Sequence, residues 1–306
     1  MAELTVPSPP RTTLTLPHTL LALGAVVVWG TNFVVIRAGL QHLPPLLFAT
    51  LRFTLVAFPA VFFLKRPAVS WRLMAAYGLF IGAGQFGLLF IAMKSSITPG
   101  LASLVIQSQV FFTIGLAMAF ERERIRIFQV AALILAFTGL GVILAHAGSS
   151  AATPLGLVLT LGAAASWAAG NAISKAIGKV DMLAFVVWSA LFAIPPLFVF
   201  SLVFDRWPAM EQAVLHAPPG AWAAVAWQSV GNSMFGYAVW GWLLARYPAA
   251  TVSPLALLVP VFGMATSAWL LAEPLPGWKL AAAGLTMAGL VLNMIWPRLM
   301  AVRSTP

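Results

Sequence analysis

The stretch that decides the fold is Val28-Trp29-Gly30-Thr31-Asn32-Phe33-Val34-Val35-Ile36-Arg37, inside an apolar run that begins near Leu20. A close echo follows 138 residues later as Ser166-Trp167-Ala168-Ala169-Gly170-Asn171-Ala172-Ile173-Ser174-Lys175. Each copy has a Trp, an amide about one helical turn further on, and a cation eight residues after the Trp. Each lies in the first long apolar run of its half of the chain. An indole and a carboxamide at membrane depth need partners, because an unpaired polar group in hydrocarbon costs several kcal/mol. The two stretches are expected to be equivalent helices of an internal repeat, with the working site in the space between them.

Composition supports a membrane setting. Of 306 residues 61% are hydrophobic and only 8% charged, with mean hydropathy +0.96; a soluble domain carries roughly 25% charged residues. The absence of Cys excludes disulfides and Cys-ligated metal sites. The net charge of +10 comes from basic residues in short loops between apolar runs, which is an orientation signal and not a nucleic-acid footprint. The first 16 residues are polar and Pro-rich without the order of a signal peptide, so the first spanning helix is expected to be its own insertion signal.

Ten runs are long enough to span a bilayer: 18–38, 44–64, 71–93, 97–119, 126–146, 154–176, 181–204, 219–245, 249–272 and 277–297. Turn chemistry or charge separates them, as in Gln41-His42-Leu43-Pro44-Pro45 and Glu121-Arg122-Glu123-Arg124. The third and eighth runs are the most diluted, by Tyr77, Gln85, Gln228, Asn232 and Ser233. With the N-terminus inside, the inner segments hold twelve cations: Arg11, Lys65, Arg66, Arg72, Arg122, Arg124, Arg126, Lys175, Lys179, Arg246, Arg298 and Arg303. The outer segments hold four, Arg37, Lys94, Arg206 and Lys279, and Arg52 lies within the second run. That bias predicts both termini in the cytoplasm.

Five runs precede Gly148 and five follow it, so the second half enters from the opposite side. Further echoes keep the same order: Gly82-Ala83-Gly84-Gln85-Phe86-Gly87 with Gly231-Asn232-Ser233-Met234-Phe235-Gly236, and Ala119-Phe120-Glu121 with Leu271-Ala272-Glu273. The expected architecture is an all-α polytopic membrane protein of ten transmembrane helices in two inverted five-helix repeats. Its expected divisions are a cytoplasmic tail 1–17, a first repeat 18–147, an outer linker 148–153, a second repeat 154–297 and a cytoplasmic tail 298–306. Inverted repeats of this kind place a substrate site near the midplane for alternating access.

With those residues in view, the sequence resembles the drug/metabolite transporter superfamily, EamA family, over nearly its whole length. The carriers are Trp29-Gly30-Thr31-Asn32-Phe33, Leu51-Arg52-Phe53, and Ser253-Pro254-Leu255-Ala256-Leu257-Leu258-Val259-Pro260-Val261-Phe262 running on to Glu273. Within the superfamily it is most similar to the YddG-type exporters of aromatic and other amino acids. The resemblance implies a bacterial inner-membrane exporter of ten helices in two inverted halves. One departure stands out. The family often has a Pro in both the fourth and ninth helices; here Pro260 faces Ile106-Gln107-Ser108-Gln109-Val110, which casts doubt on symmetric kinking.

Candidate substrate-binding residues follow from helical spacing. Ser229, Asn232, Ser233, Gly236 and Trp240 share one face of the eighth helix. That face reads either as a cavity wall or as a close helix contact. In the fourth helix Gln107 is favoured over Gln109, which points about 200° away. Tyr77 and Gln85 lie on one side of the third helix, where the alternative is a structural hydrogen bond. Trp29 with Asn32, and Trp167 with Asn171, complete the set. Trp222, Trp227, Trp278 and Trp296 suit interfacial belts. Arg52 has no acidic neighbour in its own run and is read as structural, bonding backbone carbonyls or lining water. Glu273 is expected to pair with Lys279.

No His-Glu-x-x-His, no Gly-x-Ser-x-Gly and no paired intramembrane carboxylates are present, so no enzyme chemistry, metal or cofactor is expected. The predicted function is export of small zwitterionic metabolites, amino acids with aromatic or other apolar side chains, with nucleobases or drug-like metabolites as the rival cargo. A membrane enzyme or receptor is the rival of another class. Expected partners are a small-molecule substrate and the lipid bilayer, with no nucleic acid and a monomer as the working unit. The lack of a mid-helix acid or His predicts facilitated rather than proton-coupled transport.

Overall fold

The computed structural model describes residues 14–121, 127–148 and 150–303. The described chain is almost wholly helical; its one β-type contact is an isolated bridge between Ile97 and Ala152. The long helices are α1 (Leu16–Leu40), α2 (Pro45–Ala57), α3 (Trp71–Ser95), α4 (Pro99–Ala119), α5 (Ile127–Ala145), α6 (Pro154–Ile177), α7 (Met182–Phe204), α8 (219–246), α9 (249–271) and α10 (Gly277–Arg303). A short 3-10 turn, Ala60–Phe62, follows α2.

Nine of these helices have the length and apolar composition to cross a membrane among the described residues. The exception is α8, diluted by Gln228, Ser229, Asn232 and Ser233, all of them buried. Its polarity faces protein, so it belongs to the bundle. The chain differs from expectation at two places. A helix over Trp207–His216 fills the α7–α8 connection, where no element was expected, and α10 runs on to Arg303, past the expected end at 297. The charged cluster Arg122 to Arg126 lies outside the described residues.

The first half contributes five spans, so the second must begin on the opposite side of the membrane. Packing repeats accordingly: α1 on α9 corresponds to α6 on α4, α8 on α1 to α3 on α6, and α2 on α8 to α7 on α3, while α5 packs along α10. Irregularities repeat too. α3 widens into a π-helix over Gly78–Gly87, and α8 does so over Trp227–Phe235. α4 tightens into a 3-10 turn at Ile106–Ser108, and α9 over Ser253–Leu257. Both α4 and α9 thus carry a 3-10 turn, α4 without a Pro in it, and Pro260 lies in the α-helical stretch that follows the turn of α9.

Glycines set the closest approaches. A Cβ on Gly30 would lie 2.4 Å from Phe262 Cβ and 3.0 Å from the Val259 carbonyl, so α1 lies directly on α9. Gly78 and Gly82 bring α3 against Ser189 and Ala193 of α7 in the same way. This is the small-residue packing of membrane helices, which have no hydrophobic force between them.

At the end that holds the α5–α6 linker, Thr98 N donates to the Ala151 carbonyl and Gly148 N to that of Ala152. The expected Glu273–Lys279 pair is present at 2.9 Å, and the carboxylate takes two more donors, Thr98 Oγ1 at 2.6 Å and Gly100 N at 2.9 Å. These bonds clamp the end of α9 to the start of α4.

Candidate functional site

The most polar part of the interior begins at Arg52. It stands between Leu51 and Phe53 on a mostly apolar helix, and it is fully buried. Its Nη1 donates to Gln228 Oε1 and its Nη2 to Ser233 Oγ, both at 2.9 Å. Its guanidinium carbon stands 3.5 Å from the Phe86 ring centroid, a cation–π distance. Gln228 then passes the polarity on: its Nε2 donates to Asn32 Oδ1 at 2.5 Å. Ser229 Oγ donates to the Arg52 carbonyl at 2.9 Å. One chain of bonds thus links α2, α8 and α1.

The sequence predicts a structural Arg52 that bonds backbone carbonyls or a helix C-terminus, or lines water; its hydrogen-bond partners in the structure are side chains. It bonds side chains of α8, and dipoles and an aromatic face balance it in place of a carboxylate. The π-helix makes this possible. Widening the turn brings Gln228 and Ser233, five residues apart, onto the guanidinium together, and Ser233 Oγ donates back to the Gln228 carbonyl at 3.1 Å.

Beside Arg52 lies a small cavity, about 10 Å³, room for about one water. Arg52 and Phe53 of α2, Tyr77, Gly78, Ile81, Gly82 and Phe86 of α3, Val186, Ser189 and Ala190 of α7, and Ser233 and Tyr237 of α8 line it. The cavity therefore sits among α2, α3, α7 and α8, two pairs related by the repeat. Neither Trp29 nor Trp167, between whose stretches the sequence places the working site, lines this cavity.

The expected residues divide accordingly. Tyr77 and Ser233 line the cavity, and Asn32 stands two hydrogen bonds behind it, through Gln228 and Arg52. Trp29 lies over α8, its Nε1 donating to the Asn232 carbonyl at 3.1 Å and its ring in tilted contact with Trp240 at 5.0 Å and Tyr237 at 6.1 Å between centroids. Gly236 permits that pose, since a Cβ there would fall 2.3 Å from the Trp29 nitrogen. Asn232 therefore acts through its backbone. Gln85 is buried on α3 but is not part of the lining. Asn171 faces α4, its Nδ2 donating to Gln109 Oε1 at 2.8 Å, and Trp167 precedes it by one turn. Gln107 is buried in the same α4 region. Asn171 thus belongs to the α4–α6 seam, and none of Gln107, Trp167 and Asn171 lines the cavity. Of the two amides, Gln109 is the one bonded across the helix interface, to Asn171 of α6, next to the 3-10 turn at Ile106–Ser108.

Sequence reasoning missed Gln228, Ser189 and Tyr237. Gln228 had a visible signal, since it precedes Asn232 by four residues and so shares its side of the helix.

A buried polar hub where two repeat-related helix pairs meet is the arrangement of an alternating-access carrier. The model of the EamA-like transporter family matches the chain twice, over residues 17–145 and 154–295. The chain belongs to the EamA-like transporter family. It is a multi-pass membrane transporter and not an enzyme, and each half is one repeat of the family. Among similar proteins is the probable amino-acid metabolite efflux pump of Salmonella typhimurium, 45% identical over 279 residues, covering 90% of this chain and 93% of that protein. Its counterpart in Escherichia coli K12 is 43% identical with the same coverage. A probable terminal-alkyne amino-acid exporter of Streptantibioticus cattleyicolor is 25% identical over 277 residues, covering 87% of this transporter and 90% of the exporter. One solved structure superposes with a TM-score of 0.61 at 19% identity, covering 93% of this chain and 98% of the other, a likeness of fold.

Proposed function

We propose that this transporter exports amino acids with aromatic or other apolar side chains across the bacterial inner membrane, as a monomer, by alternating access around the cavity beside Arg52. One observation carries the reading: Arg52, Ser233 and two tyrosines meet Phe53 and Phe86 at the junction of two repeat-related helix pairs. An amino acid needs donors for its carboxylate, acceptors or a π face for its ammonium, and apolar walls for its side chain. All are present in one place. The relatives named as amino-acid efflux proteins support the same cargo. Of the residues expected from sequence, Tyr77 and Ser233 would touch substrate, Asn32, Trp29, Asn232 and Trp240 would support it from α1 and α8, and Gln85, Gln107, Trp167 and Asn171 would act when the helices rearrange.

The proposed organisation is a tail 1–17, repeats 18–147 and 154–297 of five crossings each with α8 as the eighth, a linker 148–153 on the outer face, and a tail 298–306, with both ends cytoplasmic. The test is counterflow in proteoliposomes loaded with unlabelled phenylalanine, leucine, uracil or tetraphenylphosphonium. Labelled phenylalanine or leucine is expected to accumulate against its own kind. Exchange of uracil or of the organic cation without any amino acid would overturn the proposal.

A further inference from the structure

Two buried polar atoms in the cavity wall have no hydrogen-bond partner among the described residues, Arg52 Nε and Ser189 Oγ. The other two guanidinium nitrogens are occupied, so Nε is the open donor of a cation that faces no acid. Ser189 is 1% exposed and lies on α7. Positions 52 and 189 are 137 residues apart, next to the 138 that separates Trp29 from Trp167. They lie on α2 and α7, the corresponding helices of the two repeats, which pack against each other across the approximate twofold axis.

The geometry points to a carboxylate subsite on that axis, with Arg52 Nε–H and Ser189 Oγ–H donating to the two oxygens of the substrate carboxylate. The inference rests on the amino-acid reading above and deepens it, since it makes the carboxylate the recognised group and Ser189 a specificity residue. Buried polar atoms are almost always paired, and unpaired ones in a cavity wall mark where a ligand atom belongs. An anion satisfies both best, because it adds an opposite charge to the dipoles and the aromatic face around the guanidinium as well as filling the bonds. Space for it comes from α7. Gly78 and Gly82 of α3 meet α7 with bare backbone next to the cavity, so separating the two helices there uncovers no side chain of α3 at those two positions.

The experiment uses the full chain in proteoliposomes and measures competition against labelled phenylalanine, or against labelled 3-phenylpropionate if phenylalanine is not exchanged. The competitors are phenylalanine, phenylalaninamide, 3-phenylpropionate and phenethylamine. The two carboxylates are expected to compete at least about 10-fold better than the amide and the amine. Ser189→Ala is expected to weaken the carboxylates by about 3- to 30-fold, the effect of one lost hydrogen bond at membrane depth, and to leave the amide unchanged. Ser189→Thr, which keeps a hydroxyl, should restore part of that loss. Arg52→Gln should abolish the preference for carboxylates, and Ser189→Ala serves as the reading if Arg52→Gln does not insert. Equal competition by amide and acid, or a Ser189→Ala variant indistinguishable from the wild type, overturns the subsite while amino-acid export stands. Competition by 3-phenylpropionate without any amino acid overturns amino-acid export while the subsite stands.

Discussion

At the scale of single residues, Gln228 outweighs Asn232, which the sequence would not have ranked first. Gln228 joins Arg52 to Asn32, whereas Trp29 uses only the Asn232 backbone carbonyl. Gln228→Ala removes one partner of a buried cation and leaves Asn32 Oδ1 unpaired, a loss of about 1–3 kcal/mol. It is expected to lower both the thermal midpoint in detergent and the exchange rate, the latter about 10-fold. Asn232→Ala keeps the carbonyl and is expected to change exchange by less than about 3-fold. Parallel melts and exchange assays decide the order, and a larger loss in Asn232→Ala would refute it. Tyr77, Ser233 and Asn32 were legible because a polar residue deep in an apolar run must have a reason to be there. Arg52 and Gln228 were not, because the partners are separated by 176 positions and nothing local marks them as a pair.

At the scale of helices, hydropathy made all ten long elements legible, α8 most faintly because polar residues dilute it, and the helix it did not show was Trp207–His216. The break in α4 was hidden for a different reason. A 3-10 turn needs no Pro, and Ile106-Gln107-Ser108 has no local signature of one. Contacts between helices were legible only as Gly positions without addresses. Gly30 of α1 meets backbone and Cβ atoms of α9, which cannot swing away as a side-chain tip would. Gly30→Ala is therefore expected to cost about 1–3 kcal/mol and to lower the melting temperature. Gly24 on the same helix has no neighbour within 4 Å of its Cβ position, and Gly24→Ala should melt at or slightly above the wild type. Equal behaviour of the two variants would show that α1 and α9 do not pack as described.

At the scale of the whole molecule, orientation and energy coupling follow from where charge sits. The chain has no Cys, so Ser150→Cys, exposed between α5 and α6, is a clean reporter. It should react with an impermeant maleimide in intact spheroplasts, while Lys65→Cys should react only after lysis; the reverse pattern would invert the proposed topology. Coupling rests on the acids and histidines. Proton-driven carriers generally keep an acid or His in the membrane that can be reached from each side in turn. Asp181 caps α7 by accepting from Ala184 N, and Asp205 accepts from Ser201 and Leu47 N near the other end of that helix. Glu273 is engaged by Lys279, Thr98 and Gly100 together, a clamp between α9 and α4 and not an open proton site. His18 bonds Tyr247 at the start of α1, His146 bonds the Val142 carbonyl and stacks on Trp278, and His42 and His216 are exposed at helix ends. None of these groups lines the cavity beside Arg52. Transport is therefore expected to run down the substrate gradient alone. In proteoliposomes with equal substrate on both sides, an imposed pH gradient of about two units should give no net accumulation, and Glu273→Gln should slow exchange without changing that result. Uphill accumulation that an ionophore abolishes, and that Glu273→Gln also abolishes, would make the clamp itself the proton site.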